Sequence, residues 1–295
     1  MKVWVLGSGS RGNAVVVESA GCRVMIDCGF GPGLLKRRME AMGIAPQSIE
    51  ACVITHEHTD HVRGARRAQK KWGWPMFATT GTALSASGSR LSAQDNGLSA
   101  SGSGLSASGS GLSANSAPNI TQFRAGATLA FSDMDVETFR TSHDAMEPIG
   151  VTLTSRTTGA RAAIVTDLGV ATDSVRRMIS DVDLMVIESN HDEEMLLNGP
   201  YPMWLQRRIL SKVGHLSNAE CADLVSEAVT SRLRTVVLAH LSEENNTPRV
   251  AFDAMKDKIR KTRFRGLVGP AMQDAAVGPF TCAGGSHATQ LALGL

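Results

Sequence analysis

Three histidines and two carboxylates fall within residues 56–61, directly after the apolar run Ala51–Ile54. Neutral imidazole and carboxylate are the ligands that zinc, iron and manganese prefer. His56 and His58, two positions apart, can chelate one ion from a tight loop, while Asp60 and His61 can hold a second. An isolated histidine is usually an ordinary core or surface residue, but this density at the end of a strand is typical of a metal site. The motif therefore predicts a metal site.

Four later β-type runs also end in a histidine or a carboxylate. Residues 136–140, 162–165, 183–187 and 235–239 lead to His143, Asp167, Glu188 and His240. Loops at the ends of strands are where sites collect on α/β scaffolds. The repetition predicts that these side chains join the first motif.

The order of β-type and helical patterns predicts the scaffold. Residues 2–6, 14–18 and 23–27 read as strands, and residues 33–42 and the segment after Ser217 read as helices. The loop after the first strand fits G-x-G-x-x-G, but a β-branched run follows it where a dinucleotide site needs a helix. We therefore expect a glycine-rich hairpin, and then two sheets between helical layers.

Composition narrows the class of protein. A net charge of +2 excludes a strong global attraction to polyanions, and the five scattered cysteines argue against a disulfide framework. No apolar run suits a signal peptide or a membrane span. These features predict a cytoplasmic protein without a membrane partner. Between Val62 and Trp72 lie five basic residues and no acid, which indicates either a positive patch beside the metals or a solvated helix face.

The chain divides into three parts by pattern. Residues 1–269 form the predicted metal-binding domain, interrupted at 84–114 by an LSASGSG-like repeat with a leucine every seventh residue. Glycine and serine are poor helix formers, so we expect a flexible, disordered low-complexity insertion and no coiled coil. Residues 270–295 form a predicted tail of unclear structure that carries no charge after Asp274.

Several motifs of the chain together resemble those of a known family. The opening hairpin and the motifs T-H-x-H-x-D-H, S-H-D-A, T-D-L-G and A-H-L-S are similar to those of the metallo-β-lactamase fold hydrolases. Further motifs, such as G-H-L-S-N and H-L-S-E-E-N-N, resemble the YycJ/WalJ group. The resemblance implies a four-layer αββα sandwich and a phosphodiesterase or nuclease, specifically a DNA 5′-exonuclease. It also implies two divalent ions, one held by His56, His58 and His143, the other by Asp60, His61 and His240, with Asp167 bridging.

The implied chemistry suggests further roles. Two close ions lower the pKa of a bridging water and give a hydroxide nucleophile, which Asp60 could orient. His215 is a candidate to bind phosphate or to protonate the leaving oxygen, although it could instead be a residue at a helix start that bonds nearby backbone. His191 is a further catalytic candidate. Glu188 could orient a histidine ligand or be an ordinary carboxylate at a strand end.

Three functions remain open on the sequence. A nuclease or phosphodiesterase is favoured by the basic helix and the G-H-L-S loop, which suit phosphate. The resemblance makes DNA the expected substrate, and the residues alone leave DNA and RNA both open. The alternative is a hydrolase of a small thioester or lactone on the same metal centre, and a non-catalytic metal-binding protein is the third. The ligand set suits zinc, manganese or iron, and the sequence leaves the oligomeric state open.

Overall fold

The opening strands are apolar on both faces, and they build the first of two mixed sheets. In the computed structural model, which describes residues 1–87 and 119–282, the strand order of this sheet is β14-β1-β2-β3-β4-β5-β6. Its strands are β1 (Lys2–Gly7), β2 (Ala14–Ser19), β3 (Cys22–Ile26), β4 (Ala51–Ile54), β5 (Met76–Thr79), β6 (Ile120–Phe123) and β14 (Val277–Thr281). The predicted hairpin is present, since β1 and β2 pair antiparallel across the glycine-rich loop.

The second sheet is assembled from the later strands, in the order β13-β12-β11-β10-β9-β8-β7. They are β7 (Thr128–Ala130), β8 (Met134–Arg140), β9 (Ile149–Ser155), β10 (Arg161–Val165), β11 (Leu184–Glu188), β12 (Thr235–Ala239) and β13 (Leu267–Pro270). Strands β10 to β13 are parallel, so their carboxyl ends meet at one edge.

Helices cover the outer face of each sheet. They are α1 (Pro32–Ala41), α2 (Thr59–Val62), α3 (Ala65–Trp72), α4 (Thr80–Ser87), α5 (Asp173–Ile179), α6 (Glu193–Asn198), α7 (Met203–Ile209), α8 (Asn218–Ala228) and α9 (Pro248–Ile259), with a 3₁₀ turn at Pro46–Ser48. In β11, Leu184 and Val186 pack into the core between the sheets, whereas Met185 and Ile187 pack under α5, α8 and α9. Strands that are buried on both faces need apolar residues at every position. The predicted αββα sandwich is therefore confirmed.

The basic segment after His61 differs from the single helix that its pattern suggests. It forms two short helices, α2 and α3, which break at Gly64. A Cβ on Gly64 would lie 1.9 Å from the carbonyl oxygen of Phe30, and the Gly64 amide donates to the Cys28 carbonyl. This close backbone approach ends the first helix and fixes the histidine loop against the end of β3.

Two segments predicted from the sequence, the repeat and the tail, are described by the structure only in part. The first four residues of the repeat, 84–87, end α4, and the rest of the repeat lies outside the described residues. The predicted tail begins with Pro270, which is the last residue of β13 in the second sheet. It then contributes β14, which pairs antiparallel with β1 in the first sheet. The sequence of β14, VGPFT, lacks the alternation that marks a strand. Residues 283–295 are also outside the described part.

Two further findings concern the environment of the chain. All five cysteines are buried free thiols. Within residues 1–87 and 119–282, no helix combines the length and the apolar character that crossing a bilayer requires.

Candidate metal centre

Loops from both sheets deliver the predicted ligands to one place. The loop after β4 carries His56, His58, Asp60 and His61, while β8, β10 and β12 are followed by His143, Asp167 and His240. Their side chains are mostly buried, and His58 is the most exposed at 31%. Adjacent strand ends therefore bring together residues up to 184 positions apart in the sequence.

The donor atoms form overlapping groups. The donor atoms of His56, His58 and His143 lie within 4.8 Å of one another, as do those of Asp60, His61 and His240. Asp167 belongs to a third group with His56 and His61. It therefore lies where the other two groups meet.

Asp167 faces ligands from both groups. Its Oδ2 lies 3.0 Å from Nε2 of His61, and its Oδ1 lies 3.7 Å from Nε2 of His143 and 3.6 Å from Nδ1 of His240. Oδ2 is buried and not aligned for a hydrogen bond with any partner. A buried carboxylate oxygen without a donor normally costs stability, and a cation would satisfy it.

Three of the histidines, His61, His143 and His240, are oriented through Nδ1. In His61 this atom lies 2.8 Å from the Asp27 carboxylate, in His143 it lies 3.0 Å from the Gly214 carbonyl, and in His240 it lies 2.9 Å from the Glu188 carboxylate. Each partner is an acceptor, so Nδ1 donates and Nε2 keeps its lone pair. Histidines that bind metals in proteins show the same arrangement.

His56 completes this pattern. Its Nδ1 lies 3.1 Å from the Thr55 hydroxyl, and its Nε2 is buried without a hydrogen-bond partner. Burial and the neighbouring His61 lower the pKa of His56. The neutral imidazole, which is the form that binds a metal, is therefore favoured. An unpartnered, neutral imidazole nitrogen is the observation that fits a metal ion best.

Carboxylates dominate the electrostatics around His61 and His240. Burial lowers the pKa of His61, but the carboxylates of Asp167, Asp60 and Asp27 outweigh it and raise that pKa. The pKa of His240 is raised for the same reason, with burial opposing Asp167 and Asp60. Groups that stabilise a positive imidazole would also stabilise a divalent cation. The donor set thus fits two divalent ions by both chemistry and charge.

Five of the seven candidate ligands, all but His56 and His61, form part of the wall of an open cavity of about 380 Å³. Asp60, Asp167 and His215 line it, together with Arg63 and Arg208. Arg208 pairs with Asp144 at 2.6 Å. The cavity therefore combines the donor cluster with two cationic side chains.

Comparison with known proteins identifies the family. The sequence profile of the beta-lactamase superfamily domain matches residues 22–241. The chain belongs to the metallo-β-lactamase superfamily. Within this superfamily, exodeoxyribonuclease WalJ of Streptococcus pneumoniae (serotype 2, strain D39) is 30% identical over 258 residues, which cover 88% of each chain. Exodeoxyribonuclease YycJ of Bacillus anthracis is 29% identical over 262 residues, which cover 88% of this chain and 89% of the relative.

The likeness extends to solved structures of the superfamily. The metallo-β-lactamase fold protein YhfI of Bacillus subtilis superposes with a TM-score of 0.62 at 15% identity, covering 94% of this chain and 98% of that one. The predicted family and the predicted YycJ/WalJ-like group are thus confirmed, and the protein is a metallo-β-lactamase superfamily hydrolase homologous to exodeoxyribonucleases.

The two catalytic candidates outside the ligand set occupy different places in this metallo-β-lactamase site. His215 lines the cavity, with its side chain 21% exposed and its Nδ1 2.8 Å from Oε1 of Glu188. His191 is 1% exposed and does not contribute to the cavity wall, and neither of its ring nitrogens has a hydrogen-bond partner. The structure therefore places His215, but not His191, at the cavity.

Asp27 and Asn13 are site residues that the sequence reading did not single out. Asp27 accepts from both the amide and the hydroxyl of Thr55 besides facing His61. The side-chain amide of Asn13 lies 3.0 Å from both Asp60 Oδ2 and His61 Nε2. Asp27 ends a β-type run, which is the same signal that marked Asp167, whereas Asn13 in a glycine-rich loop carries no such signal.

Backbone conformation also marks the site. Asp27, Asp167 and His240 have positive φ values of 61°, 57° and 54°. The left-handed region is costly for residues other than glycine and concentrates at functional sites. In all three cases the residue with the positive φ lies within two residues of a strand end, where the chain turns into the donor cluster.

Proposed function

We propose that this protein is a dinuclear metal-dependent exodeoxyribonuclease. The observation that carries the proposal is the position of Asp167 between two histidine-rich donor groups at an open, partly cationic cavity. The relatives named exodeoxyribonucleases support DNA as the substrate. The DNA substrate and the five free thiols support a cytoplasmic location.

The ligand assignment follows from the donor groups. His56, His58 and His143 would hold one divalent ion, Asp60, His61 and His240 the other, and Asp167 would contact both. When bound, such ions lower the pKa of a water and neutralise charge on a phosphoryl oxygen. Imidazole and carboxylate donors suit zinc or manganese, and also iron.

Asp60 and His215 would act on the substrate side. Asp60 Oδ2 accepts from Asn13 and lies 3.3 Å from His240 Nε2, so its carboxylate is held at the cavity and could orient the attacking water. His215 is anchored through Nδ1, which leaves Nε2 to donate a proton to the departing 3′ oxygen or to a phosphate. His191 receives no role, because it does not reach the cavity.

Arg63 and Arg208 would bind the phosphates of the strand. Both line the cavity, and Arg63 is held by the carbonyl oxygens of Gly29 and Arg11. Guanidinium groups are suited to bidentate contacts with phosphate. The basic residues of α3 are exposed and would add a general attraction for the polyanion.

The test is an assay of purified protein on labelled DNA. We expect zinc- or manganese-loaded protein to release nucleotides from linear DNA, to leave a circular single strand intact, and to lose activity with a chelator. Re-addition of the ion should restore the activity. Brisk turnover of a thioester or lactone, with no DNA cleaved under any metal, would instead favour the small-ester hydrolase.

A further inference from the structure

The segment 197–213 carries an unusual concentration of exposed apolar side chains. It contributes five of the ten large hydrophobic residues that are exposed in the described part of the chain. These five are Leu197, Met203, Trp204, Leu210 and Val213. Trp204 is the aromatic member of this group of five, and 61% of it is exposed. Exposed apolar clusters of this kind mark binding surfaces.

This surface is continuous with the proposed active site. Tyr201, Leu205, Arg208 and Ile209 of the same segment line the cavity. On α7, Trp204 precedes Arg208 by four residues, so the indole and the guanidinium are neighbours on one face of the helix. A strand leaving the cavity along α7 would meet Trp204 within about one helical turn, roughly 5.4 Å along the axis.

The charge of the segment selects among binding partners. Between residues 197 and 213 there are three cations and no acidic residue. Arg208 pairs with Asp144 from outside the segment, which leaves the exposed Arg207 and Lys212 to attract an anion. Single-stranded nucleic acid binds to surfaces that combine positive charge with an exposed aromatic ring, because each base has a face that can stack. Protein interfaces are also enriched in tryptophan, methionine and arginine, so the feature that favours a polyanionic strand here is the absence of acidic residues from segment 197–213.

We propose that Trp204, with Arg207 and Lys212, forms a platform on which an unpaired base of single-stranded DNA stacks outside the cavity. The inference rests on the proposed nuclease function and adds to it a preference for unpaired strands. A base in a duplex is stacked and paired, so it would have to be unpaired before Trp204 could bind its face.

The experiment compares steady-state kinetics of metal-loaded variants on a 5′-phosphorylated 12-mer and on an activated aryl phosphodiester. Losing one base–aromatic stack should raise KM for the 12-mer by roughly 5- to 150-fold in Trp204→Ala. The rise in KM for the aryl phosphodiester should be at least fivefold smaller. Trp204→Tyr should restore most of the affinity, because it keeps an aromatic face.

Two control variants separate stacking from general apolar loss. Met203→Ala removes a neighbour that is 65% exposed but not aromatic, and it should change KM far less than Trp204→Ala. Leu267→Ala removes an exposed side chain at the start of β13, at the opposite end of the sheet from His240, and should change nothing.

Tryptophan fluorescence gives a second readout. Trp4 and Trp74 are 5% and 1% exposed, and Trp72 is half-buried against Trp74. Quenching of the emission by a phosphorothioate-linked oligonucleotide should therefore come mainly from Trp204 and disappear in Trp204→Phe, which still binds. An oligonucleotide without bases should not quench.

The outcomes separate this inference from the proposed function. Wild-type KM and quenching in the Trp204 variants would overturn the platform and leave the surface to a protein partner. Equal losses of Trp204→Ala on both substrates would also overturn it. Base-dependent quenching without hydrolysis of any DNA would support the platform while overturning the nuclease function.

Discussion

Oε1 of Glu188 lies 2.8 Å from Nδ1 of His215, so a fully buried carboxylate holds the ring of a cavity-lining histidine. The same oxygen lies 2.9 Å from Nδ1 of His240, while Oε2 accepts from the amides of Leu168 and Leu216. Burial raises the pKa of Glu188, but His215 and His240 outweigh it and lower the pKa to about 2. One carboxylate thus positions both a proposed acid and a proposed ligand.

Replacing His215 tests its proposed role in protonating the leaving group. His215→Ala should keep two bound ions, because His215 is outside the assigned ligand set. It should lose about 10²- to 10⁴-fold in rate on DNA. The loss should be much smaller on an aryl phosphodiester, whose leaving group needs no proton. Equal losses on both substrates would show that His215 binds phosphate and does not act as an acid.

Glu188→Gln tests the positioning of the two histidines. The amide keeps the size of the side chain but loses its charge and one acceptor oxygen, so His215 and His240 cannot both be held as before. We expect activity or metal affinity to fall roughly 10- to 100-fold, with the unfolding midpoint of the metal-free protein measured in parallel. Wild-type activity and metal affinity in this variant would remove Glu188 from the site.

Asp133 offers a test of pH-dependent stability away from the metals. Hydrogen bonds from Thr157, Ser19 and Ser155 lower the pKa of Asp133 from 3.8 to about 2. Because the folded-state pKa is below the unfolded one, this stabilisation is complete above about pH 4 and is lost as the pH falls towards 2. Asp133→Asn should therefore be less stable than the wild type at neutral pH, and the difference should shrink in acid.

Urea unfolding at several pH values between 7 and 3 measures this difference. Asp257→Asn, the same change at an exposed position of α9, is the matched control. A stability difference between Asp133→Asn and the wild type that stays constant across this pH range would contradict the linkage.

The sequence predicted the scaffold, and it predicted which side chains gather in the candidate site, because both depend on local patterns. Apolar runs marked β4, β10, β11 and β12, and the polar residues directly after them marked the site. Parallel neighbouring strands bring such residues to one edge, so the positions of Asp167 and His240 followed from the order of elements.

Other features depend on contacts that a local pattern does not contain. The break between α2 and α3 results from the backbone of Gly64 approaching Phe30, which is 34 residues earlier in the chain. Asn13 reaches Asp60 and His61 only after the first hairpin has folded against the histidine loop. The burial of His191 likewise depends on tertiary packing, as does the pairing of β14 with β1.

The most direct test of the dinuclear site is the metal content of Asp167→Ala, measured by elemental analysis on metal-loaded, gel-filtered protein beside the wild type. Asp167→Asn serves as a second variant that keeps the shape of the side chain, and circular dichroism confirms folding. We predict two ions per wild-type chain, one or fewer in Asp167→Ala, and no DNA hydrolysis by that variant. Two tightly bound ions and full activity in Asp167→Ala would contradict the account.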